Sequence, residues 1–391
     1  MAGGAFLAKV YAFRFLDSFV LIYPLYTVMF REDGMTPGQV AASLMAWSIA
    51  SFVLQIPSGV VADRWSRRGL LCTAQLVRVA GFAFWALHPG FWSFMLGMVL
   101  WGAKSAFTNG VFEALVYDEL HAQGRAQDYA RVLGRAQATG FIAVLATSLV
   151  TAAIAHLGYP LILAGSIAAG VAAAAAALLL PKARVTLQVA RRRYLVHLGQ
   201  GFAAVARAPL VLAIIAFAAL SQAFGGGLEG FWPIFGGEAG LSRPQIAVFV
   251  AAISLAQAGG VAMAHRLAQA PSAAFHGLYA FIGALLAAAA LTLQIWSVAL
   301  VIAVAGLIKI IDVNFDARLH HAIPTESRAT IASVKSFAGA VVMTAVLAAF
   351  GALAQAQTYR IAFLACGLAM VAVAAAYLLA GLGRRRAGLA R

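Results

Sequence analysis

The chain has 391 residues, 63% of them hydrophobic and 10% charged, with a formal net charge of +15. That balance lies far from soluble domains and points to a polytopic membrane protein. The basic residues are spread over short loops rather than gathered on one stripe or arm, which argues against nucleic acid as a partner.

A helix needs about 20 apolar residues to cross the hydrocarbon core. Runs of that kind predict twelve spans, near residues 6–30, 38–62, 69–88, 91–118, 130–155 and 160–180, then 208–231, 244–265, 272–293, 296–318, 328–354 and 359–381. The expected fold is therefore all-α and integral to the membrane. Span 1 is long and carries Arg14 and Asp17, so it is expected to be a membrane span rather than a cleavable signal sequence. The pair is three residues apart and shares a helical face, so either a pinning ion pair or a cavity-lining role fits it. Tyr11, Tyr23 and Tyr26 bring phenolic hydroxyls to the same span.

Between spans 2 and 3 lies the charged knot Gly59-Val60-Val61-Ala62-Asp63-Arg64-Trp65-Ser66-Arg67-Arg68, which must sit at a membrane face. In span 4, Lys104 falls about 20 Å below Phe91 at 1.5 Å per residue, near the midplane. Asn109, Glu113 and Tyr117 follow at a spacing of four and predict a continuous polar face, with Asp118 at the inner end. The basic connector 181–207 contains Arg191, Arg192 and Arg193, read as a contact for anionic lipid. Gly225-Gly226-Gly227 is expected to break or bend span 7, and Glu229 near its outer end fits either a proton site or a wetted rim, the rim being favoured. Span 10 repeats the depth of span 4: Lys309 lies thirteen residues after Trp296, with Asp312 and Asp316 on its face. His320 and His321 are read as loop residues, and Cys72 and Cys366 as apolar-segment thiols, so no metal site or disulfide framework is expected.

An even span count places both termini on one side. Lys9, Arg64, Arg67, Arg68, Arg125, Arg131, Lys182, Arg266, Arg318 and the Arg384–Arg386 tail fall on one face, against Arg31, Arg243 and Arg360 on the other. The positive-inside rule then makes both termini cytoplasmic. Trp85, Trp92, Trp232 and Trp296 are placed as an interfacial belt.

The pattern Gly-x-x-x-Asp-Arg-x-x-Arg-Arg at Gly59–Arg68 resembles the loop between helices 2 and 3 of major facilitator superfamily transporters, with Ser66 where that family usually has Gly. Glu113–Asp118 and Arg328–Ser333 look like a bacterial subgroup of it, although Gln55 stands where that subgroup commonly has an acidic residue. The resemblance implies two pseudo-symmetric six-helix bundles, 1–180 and 208–391, joined by the connector 181–207. A weak internal repeat agrees: Gly59-Val60-Val61-Ala62 returns as Gly260-Val261-Ala262-Met263, and Arg131–Gly140 matches Thr330–Gly339. The second loop has Ala264 in place of the aspartate, so the charged latch is expected in the first half alone: Gly59, Asp63, Arg64, Arg67 and Arg68 with Asp118.

Together these features predict a secondary transporter that works by alternating access, proton-coupled, moving a small polar or charged solute with export favoured. Its cavity is assigned to Arg14, Asp17, Lys104, Asn109, Glu113, Lys309, Asp312 and Asp316. The expected setting is a bacterial inner membrane, as a monomer without cofactor, with protons, solute and lipid as partners. A multidrug–proton antiporter is the main alternative, weakened because no proline lies between Arg131 and His156, where such antiporters carry a Gly-Pro element. A membrane sensor would normally carry an output domain, and an intramembrane enzyme would need a paired nucleophile and base. Neither feature is evident in the sequence.

Overall fold

The computed structural model describes the backbone of residues 2–64, 66–182, 205, 208–323 and 328–389, and side chains of these except at 2–3, 56–64, 328–330, 332 and 382–389. It is all-helical among the described residues, and ten of its helices are long and apolar enough to cross a membrane. Two compact units emerge. The first comprises Met1–Arg192 with Arg243–Ala251, the second Arg193–Ser242 with Ala252–Arg391.

In the first unit, α1 (Ala2–Ser18) and α2 (Tyr26–Glu32) together occupy the expected first span. They are separated by an irregular stretch that contains Pro24, whose ring and missing N–H do not suit a helix interior. The freed backbone groups find partners nearby: Ser166 Oγ accepts from Ile22 N at 2.9 Å, and Thr151 Oγ1 donates to Leu21 O at 2.7 Å. Such side-chain substitution is how a broken helix is tolerated at membrane depth. The unit continues with α3 (Pro37–Arg64), α4 (Arg67–Leu87), α5 (Phe91–Thr108), α6 (Val111–Ala122), α7 (Tyr129–Ile154) and α8 (Tyr159–Leu178).

Span 4 is thus not one helix. It breaks at Asn109-Gly110, where Gly110 has φ +79°, a left-handed backbone that favours glycine. The continuous polar face expected of Asn109, Glu113 and Tyr117 is lost with the helix. Glu113 instead turns back and accepts from Gly110 N at 2.8 Å, capping the start of α6.

The second unit holds α9 (Pro209–Glu229), α10 (Trp232–Glu238), most of α11 (Arg243–Met263), α12 (Ser272–Thr292), α13 (Val298–Ala322), α14 (Arg328–Ala356) and α15 (Tyr359–Leu389). The glycines Gly225–Gly227 do not break α9, which runs through them and stops at Glu229, just before α10 starts with Pro233 in its first turn. A side chain at Gly225 would meet Ile308 of α13 at 3.0 Å, so the small residues serve close helix packing rather than flexibility. Two of the four tryptophans are also not belt residues. Trp85 and Trp232 are buried in aromatic clusters with Phe30, Phe82 and Phe94, and with Phe363, whereas Trp92 and Trp296 are exposed.

Candidate functional site

The first unit holds a buried ionic cluster where the ends of α1 and α5 meet the middle of α4. Asp17 is the penultimate residue of α1, so it stands where the helix ends and its last carbonyls lack partners. Arg78 lies eleven residues into α4, about 16 Å from Arg67 at 1.5 Å per residue. Lys104 projects from the last turns of α5. All three are buried, at 3%, 2% and 7% exposure.

One Asp17 oxygen, Oδ1, accepts from Lys104 Nζ at 2.6 Å and from Gln75 Nε2 at 2.5 Å. The other, Oδ2, faces Arg14 Nη1 at 3.2 Å. Arg78 Nη1 donates to the Asp17 backbone carbonyl at 2.8 Å, and its Nη2 donates to Gln75 Oε1 at 2.7 Å. A guanidinium on the C-terminal carbonyl of α1 meets the negative end of the helix dipole, which favours it. The Nε of Arg78 is buried and has no hydrogen-bond partner in the structure. Arg14 is the half-exposed member, with its side chain 31% accessible. It lies over Gly140 of α7, where an added Cβ would come within 3.3 Å of its Nε.

Arg14, Asp17 and Lys104 are therefore brought together, and Arg14 alone is not the partner of Asp17. Gln75 and Arg78 were missed by the sequence reading. The signal was present: an arginine in the middle of the 69–88 run, three residues after a glutamine, deserves the same question as Arg14 with Asp17. Asn109 is exposed at the helix break, and Glu113 serves as a cap, so neither joins the cluster.

The second unit has its own charged group. Lys309 Nζ lies 3.7 Å from Asp312 Oδ2, and Ser221 of α9 donates to Asp312 Oδ1 at 2.9 Å. Asp316 faces Lys335 of α14 as an ion pair, so it does not share Lys309. Both carboxylates here have a lysine each, unlike the crowded Asp17.

At one end of the first unit, Arg67 Nη1 pairs with Asp118, and Arg68 Nη1 donates to Leu178 O at 3.3 Å. Ser66 gives a physical reason for its departure from Gly: it is the N-cap of α4 in extended conformation, and its Oγ accepts from Gly69 N at 3.2 Å. The side chains of Asp63 and Arg64, and the surroundings of Gly59, lie outside the described residues, as do Arg191–Arg193 of the connector. At the other end of α4, Arg243 forks onto Glu32, with Nη2–Oε2 at 2.6 Å and Nε–Oε1 at 3.2 Å, while Tyr159 Oη donates to Glu32 Oε2 at 2.7 Å. A cavity of about 340 Å³ opens beside this trio, lined also by Trp85 and Phe94. No group of three or more His, Cys, Asp or Glu side chains suited to a metal occurs among the described residues.

Helices long and apolar enough to span, with charges buried among them, describe a multi-pass membrane protein. The model of the Major Facilitator Superfamily matches residues 7–346, and the chain belongs to that family. The family is one of transporters, not enzymes. The inner membrane transport protein YajR of Escherichia coli (strain K12) is 28% identical over 138 residues, which span 35% of this chain and 28% of that one. Among solved structures, the nucleoside transporter NupG superposes with TM-score 0.77 at 14% identity, covering 96% of this chain and 98% of that one. A bacterial homolog of the human lysosomal transporter Spinster gives 0.71 at 15% identity, covering 95% and 94%. A D-xylose–proton symporter gives 0.65 at 14% identity, covering 94% and 96%. These low identities establish likeness of fold.

Proposed function

We propose that this transporter moves a small polar or charged solute across a bacterial inner membrane by alternating access, driven by the proton gradient, with export the favoured direction. The observation that carries the reading is the Asp17–Lys104–Arg78 cluster, because charges buried inside a membrane protein are costly unless they serve a pathway. In this reading the two bundles are 1–180 and 208–391, twelve spans in all, and both termini are cytoplasmic. Coupling and binding are divided between the two clusters. The oxygens of Asp17 are filled by Lys104, Gln75 and Arg14, which suits a fixed counter-ion. Asp312 has one hydroxyl donor and a lysine at 3.7 Å, which suits a carboxylate that exchanges a proton during the cycle. Likeness to a D-xylose–proton symporter supports proton coupling as a mechanism open to this fold. Accumulation of a solute in proteoliposomes under an imposed pH gradient, ended by a protonophore, is the test.

The Arg67–Asp118 pair is assigned the role of a latch that biases one of the two access states. Part-exposed ion pairs contribute about 0–1 kcal/mol, yet an equilibrium between states a few kcal/mol apart responds to that. Arg67→Ala is expected to cut the transport rate several-fold while leaving insertion and thermal stability near wild type. Wild-type flux at matched expression would remove the latch from the account.

A further inference from the structure

We infer that the Asp17 cluster is an anion-recognition site, so that the solute carries a carboxylate or phosphate group received by Arg14; this rests on the transport reading above. Three cations gather around a single acid: Arg14 and Lys104 pair with the Asp17 carboxylate, and Arg78 bonds its backbone carbonyl. The C-terminus of α1 adds roughly half a negative charge beside Arg78. Among the described residues the cluster keeps a surplus of positive charge, part of it on buried Lys104 and Arg78 and part on the accessible Arg14, and unmatched charge of this kind is costly. Glu113 and Asp118 of the same predicted span have partners outside the cluster, Gly110 N and Arg67. In the second unit, by contrast, Lys309 and Lys335 each face an acid of their own, Asp312 and Asp316.

The three cations are not equivalent. Lys104 and Arg78 are buried and bonded to Asp17 or Gln75, and they hold the positive potential in place. Arg14 makes one 3.2 Å contact, and its side chain is accessible. A guanidinium offers five donors in a flat fork, and that fork matches carboxylate and phosphate oxygens in pairs. Gly140 gives the Arg14 side chain room against α7: an added Cβ would stand 3.2 Å from Ser18 Oγ and 3.3 Å from Arg14 Nε, so a large side chain there would displace the guanidinium. The buried, unpartnered Nε of Arg78 is one further donor without an acceptor. A cationic solute would be repelled by this arrangement.

Thermal unfolding of the full chain in detergent tests the assignment, with inorganic phosphate, gluconate and citrate as anionic probes. Uridine is the neutral probe, tetraphenylphosphonium the cationic one, and chloride is titrated separately. At least one oxyanion is expected to raise the wild-type unfolding temperature saturably. Arg14→Gln should raise its half-saturating concentration about tenfold or more, and Arg14→Lys should recover part of the loss. Gly140→Leu keeps the charge but crowds the fork, and should weaken the same probe, which covers the case in which Arg14→Gln does not fold. Stabilisation by uridine or tetraphenylphosphonium alone would overturn the assignment. So would oxyanion binding that ignores both variants, or saturation by chloride that no oxyanion displaces. Flux separates this inference from the transport reading. A neutral or cationic solute pumped without regard to Arg14 would leave transport standing and remove the anion site, whereas Arg14-dependent oxyanion binding without flux would do the reverse.

Discussion

Asp17→Asn is expected to lower the unfolding temperature sharply and to abolish transport. It leaves Arg14, Lys104 and Arg78 together with no carboxylate, and removing one partner of a buried pair costs about 3–5 kcal/mol. Gln75 would also lose the charged acceptor of its side-chain amide. The double variant Asp17→Asn with Lys104→Met removes one charge of each sign and should recover much of the stability. It should not recover transport, because the Lys104 ammonium is gone and Arg14 no longer has the carboxylate that orients it. Thermal unfolding and flux measured on both variants separate the two roles. A single variant as stable as wild type would show that the cluster is wetted rather than buried, and full transport by the double variant would make Lys104 purely structural.

Gly260→Leu should be as damaging for a different reason. A Cβ at Gly260 would sit 2.1 Å from the carbonyl oxygen of Gly306, so α11 and α13 touch backbone to backbone there. No rotamer can relieve a clash with a carbonyl, and the helices must part. Overpacking of this kind costs about 1–3 kcal/mol or more. Gly277 in α12 is the control, since nothing lies within 4 Å of its added Cβ. Gly277→Ala is expected to keep wild-type stability within about 1 kcal/mol. Equal unfolding temperatures for Gly260→Leu and wild type would contradict the close crossing of α11 and α13.

The membrane class and family were legible because they rest on features written locally: long apolar runs, and a charged knot that cannot enter hydrocarbon. The breaks were less legible. Gly110 ends the helical path of span 4 through one left-handed residue, and spacing rules that assume an unbroken helix joined Asn109, Glu113 and Tyr117 into one polar face. The triple glycine invited the opposite error, because glycine that permits close packing looks the same in sequence as glycine that permits bending. Site partners were the least legible. That Asp17 belongs with Lys104 and Arg78 depends on how α1, α4 and α5 pack, which no spacing along one helix reports. Glu32, Arg243 and Tyr159 illustrate the same limit, lying 127 and 211 residues apart along the chain.

The most direct measurement of gradient-driven transport is simultaneous recording of solute flux and internal pH in the same proteoliposomes, before and after a protonophore. For the wild type, solute accumulation and proton movement should occur together, and both should collapse when the gradient is removed. Asp312→Asn should still exchange labelled for unlabelled solute but should no longer accumulate it, since the carboxylate beside Ser221 and Lys309 is the assigned proton carrier. Accumulation that persists undiminished after the protonophore, or an Asp312→Asn variant that still concentrates solute with proton movement, would contradict the account.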